Sequence, residues 1–518
     1  MKWKSFKHNG VYFPPEYEWK KLSVKISGEK VQLNKEQEEM LYAWAKKINT
    51  PYVKDPVFQK NFLSDFKKLM STKYSGIIMD DIDLSEIVKY QENEKDLTKE
   101  EKKVLAEKMK RVREELKEKY GYVEIDGNKS EIANWMVEPP GIFLGRGEHP
   151  LRGRWKPRIY PADITLNLSK DAPIPAGDWK KILHGNDFMW IASWRETLTD
   201  KVKHVWPSEG SQLRQKREKE KYDKAISIDE KLDVIRKHVS KGMMSKDEKT
   251  RKVATVCYLI DRLVMRVGDE KDEDEADTVG ASTLRVEHVK FNPDSIKFDF
   301  LGKDSVKWQK KISLAEADPS FVKNMNDFTK NKKESSLVFD GVNSRIVNQF
   351  FGSAVKGLTA KVFRTYHATK TLISYLKDVH VNPKDGQFSK LYQAKMANLE
   401  VAVTCNHKKT PPKSWEETQA RKQEKLTKWM NTTPKTEKQA EKLKERIEKL
   451  KMDIDMSKKT KEYNLNTSLK NYIDPRVYKA WLDKMGIDWT KLYTSSLQKK
   501  FSWISRSKLD WKKVSDSK

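Results

Sequence analysis

Residues 467–477 read TSLKNYIDPRV, a short polar run around one tyrosine, Tyr472, just beyond the most highly charged part of the chain. What precedes it gives this tyrosine its interest. Between 411 and 461, Trp415, Lys422, Leu426 and Trp429 space one helix and the NTTP of 431–434 makes a turn. Leu443, Ile447, Leu450 and Ile454 then recur at intervals of 4, 3 and 4 on a second helix. Such spacing lays an apolar seam on each helix and predicts a two-helix antiparallel hairpin. The seam is narrow and the remainder is Lys and Glu, so the expected hairpin is marginally stable and projects into solvent or along an acidic partner. The chain runs out along this arm and returns, and the return begins with Tyr472 at the head of a Trp-rich C-terminal segment.

At 518 residues the chain exceeds what one core organises, so about two to four domains are expected. A hydrophobic fraction of 37%, with 16 Trp, 18 Tyr and 18 Phe, argues for a folded protein although 35% of residues are charged. Lys and Arg outnumber Asp and Glu by 104 to 76, a net charge of +28. That excess makes a polyanion the expected partner, through phosphate contacts and counterion release. A ribosome-like or membrane-surface basic protein is the bland alternative. Two cysteines, Cys257 and Cys405, are too few for a disulfide framework or a Cys-based zinc site and fit a reducing compartment. The start, MKWKSFKHNGVYFPPEYEWK, lacks the apolar core of a signal peptide, and no run of about 18 apolar residues occurs. A soluble intracellular protein with no membrane association is expected. No G-x-x-x-x-G-K-[ST] loop is present, so ATP hydrolysis is not.

Along the chain, Thr98 and Glu101 have capping-box spacing, and Leu105, Met109, Val112 and Leu116 recur at helical intervals, predicting a long amphipathic helix with a basic face. That face is either a solvated surface or the lining of a DNA channel. Between about 131 and 170 the stretch EPPGIFLGRGEHPLRGRWKPRIYPADI is too rich in Pro and Gly for helix or strand. Its Gly and Arg residues suit close approach to a phosphate backbone. From about 212 to 410 the pattern is mostly helical with a β insert. In TLRVEHVKF and SIKFDFLGKDSVKW, Leu284 and Val286, then Ile296, Phe298 and Phe300, then Val306 and Trp308 alternate, with GKD at a hairpin turn. The acidic run GDEKDEDEAD at 268–277 reads as a solvated loop rather than a metal site, and no metal is expected.

Four segments of this region hold a cation or imidazole in an awkward place. Arg266 falls at the end of a helix whose core face is Val253, Cys257, Ile260 and Leu263 or Val264, just before the cap Gly268. Lys303 sits at the hairpin tip, where a lysine is usually inert. Arg364 lies in the first turns of a helix, where the dipole disfavours a cation unless an anion joins it. His407 precedes the double proline that ends its helix. Taken singly, each has an ordinary structural explanation.

Together with Tyr472, these segments resemble the eukaryotic type IB DNA topoisomerases. The resemblance runs from KWKSFKHNGVYFPPEY through EPPGIFLGRGEHP, DTVGASTLRVEHV, FDFLGKDS, LTAKVFRTY and CNHKKTPPK to TSLKNYIDPRV, nearly the whole chain. It implies a catalytic pentad of Arg266, Lys303, Arg364, His407 and Tyr472. In that chemistry the phenol attacks a backbone phosphate to give a 3′-phosphotyrosine and a free 5′-hydroxyl. The arginines grip the non-bridging oxygens, His407 adds a hydrogen bond, and Lys303 protonates the leaving oxygen. No sequence-local base explains loss of the Tyr472 proton; water or a neighbouring cation is the expectation.

The resemblance also implies an α+β multidomain fold: a bilobed DNA clamp with a mainly helical, tyrosine-recombinase-like catalytic domain, a coiled-coil linker and a small C-terminal helical domain. Residues 1–18 and 102–211 would form the cap, 19–101 a second cap lobe, 212–410 the catalytic half, 411–461 the linker and 462–518 the domain that delivers the tyrosine. The linker would brake rotation of the cut duplex. Arg146, Asp304, Asn471 and Thr467 match DNA-binding or drug-pocket positions, which implies sensitivity to camptothecin-class inhibitors. The implied partner is double-stranded DNA enclosed by a monomer. ATP is not required, and a divalent cation is at most stimulatory.

Three departures are visible. SLKNY stands where the family commonly has SKLNY, and the linker looks shorter than in animal members. The sequence begins at the core, without the long charged extension that carries import signals, so a nuclear location follows from resemblance only and a viral or organellar context stays open. Two rival readings remain. A tyrosine recombinase shares the fold and the Arg/Lys/His/Tyr chemistry but usually carries His-x-x-Arg at the second arginine, where this chain has Lys361, Val362, Phe363 and Arg364. A noncatalytic basic DNA clamp would make the pentad incidental.

Overall fold

Short strands and long capped helices account for a mixed α/β architecture, about half of it helical. The computed structural model describes residues 2–145, 147–269, 279–303, 306–507 and 509–516. They divide into two compact units between Arg214 and Gln215. Among the described residues, no helix is long and apolar enough to cross a membrane.

The first unit holds several small sheets. Phe6–His8, Tyr122–Ile125 and Asn128–Glu131 form an antiparallel sheet with Tyr122–Ile125 in the centre. Thr165–Asn167 lies between the parallel strand Lys181–Leu183 and the antiparallel strand Ala192–Arg195, which pairs in turn with Val202–Val205. These sheets close over a core that includes Phe6, Val123, Ile164, Leu166 and Ile191. A second core, around Trp44, Phe58, Phe62 and Phe66, forms where the helices Lys35–Ala45 and Pro56–Phe66 pack. The helix Lys99–Tyr120 starts at the expected capping box on Thr98 and Glu101. Its apolar stripe is not buried, however: Leu105, Met109 and Val112 are all exposed. Periodicity predicted the helix and its start but not what covers the stripe.

In the second unit the strands Ser295–Gly302 and Val306–Ser313 form a long antiparallel hairpin. Alternation sends Ile296, Phe298, Phe300, Trp308 and Ile312 into the core, with Phe300 stacked on Trp308 at 4.8 Å. The expected strand across TLRVEHVKF is a strand only at Val289–Phe291. Its earlier residues make single 3₁₀ turns, because the Val286 and Glu287 amides donate to the carbonyls of Ser336 and Glu334 rather than to a neighbouring strand. The acidic run from residue 270 onward lies outside the described residues.

Two helices build the arm. Trp415–Met430 and Glu437–Lys459 run antiparallel, joined along their length by Lys461 with Glu416 at 2.8 Å, Gln419 with Ser457, and Lys422 with Asp453 at 2.6 Å. Leu426 and Ile454 are buried. The second arm helix rests on the helix Gln387–Thr404, where Asp455 accepts from the Tyr392 hydroxyl and Lys449 lies over the Phe388 ring. Backbone pairing pinches the base of the arm: Lys409 N–H donates to Glu462 O at 2.8 Å, and Asn464 N–H donates to His407 O at 2.7 Å. The described residues after the arm share a core with earlier helices. Leu469, Ile473, Val477, Tyr478 and Trp481 pack with Ala368, Leu372, Ala397 and Val401 of the helices Ala360–Asp378 and Gln387–Thr404.

One buried group of the first unit makes its stability depend on pH. His8 Nδ1 accepts from Gly10 N–H at 3.0 Å and its Nε2 faces Asn167 O at 3.0 Å, which defines a neutral ring donating from Nε2. Burial pushes the imidazole down from 6.5 to about 4, against the Asn167 hydrogen bond. The unfolded chain therefore binds a proton below 6.5 that the folded one refuses, and stability is lost as pH falls from 6.5 toward 4. The loss attributable to His8 reaches about 3 kcal/mol. Hydrogen exchange of this sheet, measured against pH in the wild type and in His8→Gln, is expected to show a shallower acid dependence in the variant.

Candidate active site

Three chain reversals in the second unit deliver the site. The helix Glu248–Leu263 was expected to carry Arg266 at its end, but it stops earlier, because Val264 adopts the left-handed conformation at φ 56°. A β-branched residue is rarely found there, and the turn it makes throws Val264 O and the Arg266 side chain in new directions. Beyond it, Gly268 and Gly280 touch: a Cβ on Gly280 would lie 2.5 Å from the Gly268 Cα. Ala281 N–H then donates to Arg266 O at 2.8 Å, fixing the loop.

The second reversal ends the helix Gln387–Thr404. Asn406, also left-handed at φ 51°, lets His407 N–H return to Ala402 O at 2.8 Å, which is a Schellman termination. This turn stops the helix several residues before the double proline that sequence had assigned the task. The third reversal follows the short helix Leu465–Asn471, where the amides of Tyr472 and Ile473 both donate to Ser468 O. Its last carbonyls are taken by lysines, Lys470 O by Lys500 at 2.8 Å and Asn471 O by Lys221 at 3.0 Å. Glu218 lies between these two ammonium groups.

Here four of the five sequence-predicted catalytic residues meet. Arg266 Nη1 donates to the Tyr472 hydroxyl at 3.0 Å, across 206 residues of sequence. The Tyr472 ring stacks on His407 at 5.1 Å, and the Arg364 guanidinium lies 5.1 Å from the same ring. Arg364, only 4% exposed, donates to Val264 O and, at 3.0 Å, to Cys405 O, with His407 Nε2 3.4 Å away. Lys303 is exposed at the hairpin tip, and no hydrogen bond or ion pair among the described residues joins it to the other four. Thr467 O accepts from the Asn471 side-chain Nδ2 at 3.2 Å, one helical turn before the tyrosine. Arg146 and Asp304 lie outside the described residues.

The electrostatics favour an anion. Among the described residues no carboxylate pairs with Arg266 or Arg364; helix-end carbonyls are what balance the buried guanidinium. Arg364 Nε is buried without a hydrogen-bond partner among those residues, which leaves a donor for an incoming acceptor. Burial by itself would raise the Tyr472 phenol, but Arg364 and Arg266 outweigh it and hold the group below its usual 10.0. Burial, reinforced by both arginines, pushes His407 down to about 3, so its ring is neutral at physiological pH. Its Nδ1 lies 2.7 Å from Ser468 Oγ, a hydroxyl able to donate or accept and so to serve either tautomer. Sequence reasoning missed Ser468, Lys221 and Lys500. It also missed Lys310, whose ammonium donates to Leu263 O at 3.0 Å and to Thr404 O at 2.6 Å. The strand alternation of Val306, Trp308 and Ile312 was the available signal, since it points Lys310 inward.

Comparison with known proteins agrees along the chain. The family model described as "Eukaryotic DNA topoisomerase I, DNA binding fragment" matches residues 1–207, and that for the catalytic core of the same enzyme matches 210–444. The "C-terminal topoisomerase domain" model matches 444–513. DNA topoisomerase 1 alpha of Arabidopsis thaliana is 38% identical over 540 residues, covering 97% of this chain and 58% of the plant protein. DNA topoisomerase 1 of Drosophila melanogaster is 35% identical over 97% of the chain and 54% of its own length. For DNA topoisomerase 1 of Homo sapiens the figures are 34%, 97% and 71%. The chain belongs to the eukaryotic DNA topoisomerase I family, and it spans a little over half the length of the plant and fly relatives it matches.

The lowered phenol is directly measurable. Subtracting the ultraviolet titration of Tyr472→Phe from that of the wild type isolates Tyr472, and its midpoint is expected below 10.0. Replacing Arg266 by Ala is expected to move the midpoint upward. A wild-type midpoint at or above the ordinary phenol value would contradict the electrostatic assignment.

Proposed function

We propose that the chain is a type IB DNA topoisomerase, relaxing positive and negative supercoils by transient cleavage of one strand, controlled rotation and religation. The observation that carries this reading is the Tyr472 hydroxyl held 3.0 Å from Arg266 within a cluster of cations that lacks a carboxylate among the described residues. Tyr472 Oη attacks a backbone phosphorus, forming the 3′-phosphotyrosine, while the bond from phosphorus to the 5′-oxygen breaks. Arg266 and Arg364, the latter through an Nε–H that has no partner among the described residues, meet the charge that builds on the non-bridging oxygens. His407 donates from Nε2 when Ser468 turns its hydroxyl proton toward Nδ1. Lys303, carried on the hairpin tip, gives the departing 5′-oxygen its proton once DNA fills the site. The phosphoester bond is conserved in the covalent intermediate, so religation is the reverse step and needs no ATP and no obligatory metal.

In this reading residues 1–18 with 102–211, and 19–101, form the cap lobes of a monomeric clamp, and 212–410 its catalytic half. Residues 411–461 are the linker that slows rotation, and 462–518 bear the nucleophile. The substrate is duplex DNA, which the net charge of +28 suits. The site of action is the nucleus. Camptothecin-class inhibitors bind the cleaved complex near Arg146, Asp304, Asn471 and Thr467.

The test is relaxation of negatively and positively supercoiled plasmid in EDTA without ATP. Wild type is expected to relax both, and Tyr472→Phe to relax neither while binding DNA with unchanged affinity. Relaxation by neither protein would return the noncatalytic clamp to the front, and relaxation by both would remove Tyr472 as the nucleophile.

A further inference from the structure

The strand Val306–Ser313 puts Trp308 and Ile312 into the core, and Lys310 occupies the inward slot between them, opposite Phe298 on the paired strand. A lysine in an apolar slot must find acceptors or give up its charge. It finds two, the carbonyls of Leu263 and Thr404, at 3.0 and 2.6 Å. Those residues end the helices that lead to Arg266 and to His407. The carbonyls of the next residues, Val264 and Cys405, are the ones that Arg364 holds. Two cations from different elements therefore bridge the same two chain reversals at consecutive carbonyls.

The two bridges are not equivalent. Arg364 reaches the Tyr472 ring, and once its guanidinium turns toward a phosphate it surrenders part of its hold on one or both carbonyls. Lys310 faces the helix ends from the side of the hairpin and keeps its hold. We propose that Lys310 is a positioning residue for phosphoryl transfer: by bridging Leu263 and Thr404 it fixes the separation of the two helix ends, and with it the placement of Arg266 and His407 on Tyr472. This inference rests on the proposed topoisomerase reading. Burial supports it by pushing the ammonium down to about 8; Arg364 adds to this and Cys405 opposes it, as befits a charge packed among dipoles, the Trp308 ring and a second cation.

The experiment compares wild type, Lys310→Met and Lys310→Arg for the single-turnover rate of cleaving a duplex, for affinity for that duplex, for melting temperature and for the difference titration of Tyr472. Methionine fills the apolar slot without a donor, whereas arginine keeps two. Lys310→Met is expected to cleave roughly 10- to 100-fold more slowly with DNA affinity unchanged and with the Tyr472 midpoint moved toward 10, and Lys310→Arg to recover most of the rate. Cleavage by Lys310→Met at the wild-type rate would overturn the proposal. So would a loss that follows melting temperature alone, with no change in the Tyr472 titration and no recovery by arginine. Should Lys310→Met not fold, Lys310→Gln, which keeps an amide donor too short to span both carbonyls, is expected to show the same slowing. A wild-type chain that cleaves no DNA would instead defeat the topoisomerase reading, and this inference with it.

Discussion

A buried guanidinium without a carboxylate partner among the described residues is the constraint on which the candidate site of the second unit depends. Arg364 is held by the carbonyls of Val264 and Cys405, each at the C-terminal end of a helix where the backbone carries partial negative charge. Dipoles balance the cation in the free protein but leave its field largely available to an anion. A carboxylate in the same place would neutralise that field and compete with any phosphate. Both carbonyls are presented by left-handed turns, at Val264 and at Asn406, so backbone strain at two positions gives the guanidinium its acceptors.

The same cluster makes an ordinary phenol easier to ionise, which suits the nucleophilic role proposed for it. Burial opposes ionisation of Tyr472, and two guanidiniums overcome it. The guanidiniums lower the cost of ionising the phenol, so that in the proposed reaction solvent water can take the proton. His407, kept neutral by burial, can act as a hydrogen-bond donor without adding a third full charge beside the arginines. The arm serves this geometry from a distance. Pairing of 407–409 with 462–464 closes its base, so the chain leaves the site at His407 and re-enters beside it. Tyr472 is placed by this pinch and by the core shared with the helices Ala360–Asp378 and Gln387–Thr404.

Much of this was legible in the sequence where pattern and physics coincide. The arm helices, the hairpin from Ser295 to Ser313 and the capping box at Thr98 follow directly from spacing. The residues that motif blocks single out could be named one by one, but not their contacts, because Arg266 and Tyr472 meet across 206 positions. Other features were hidden for physical reasons. A left-handed valine has no sequence signature, so the helix before Arg266 read too long. The exposure of the apolar stripe of Lys99–Tyr120 was not legible, since periodicity reports amphipathicity and not what lies opposite. Lys310 vanished into the run KWQKK, where lysines read as solvated, although its register in the strand already turned it inward.

The most direct test of the account is to identify the residue that becomes covalently joined to DNA and the end that it joins. A duplex nicked so that the short cleaved fragment diffuses away traps the intermediate, and mass spectrometry of the digested adduct locates the link. The expected product is a 3′-phosphoryl bond to the peptide that contains Tyr472, formed without ATP and in the presence of EDTA, and absent from Tyr472→Phe. Attachment to another residue, or through a 5′-phosphate, would contradict it.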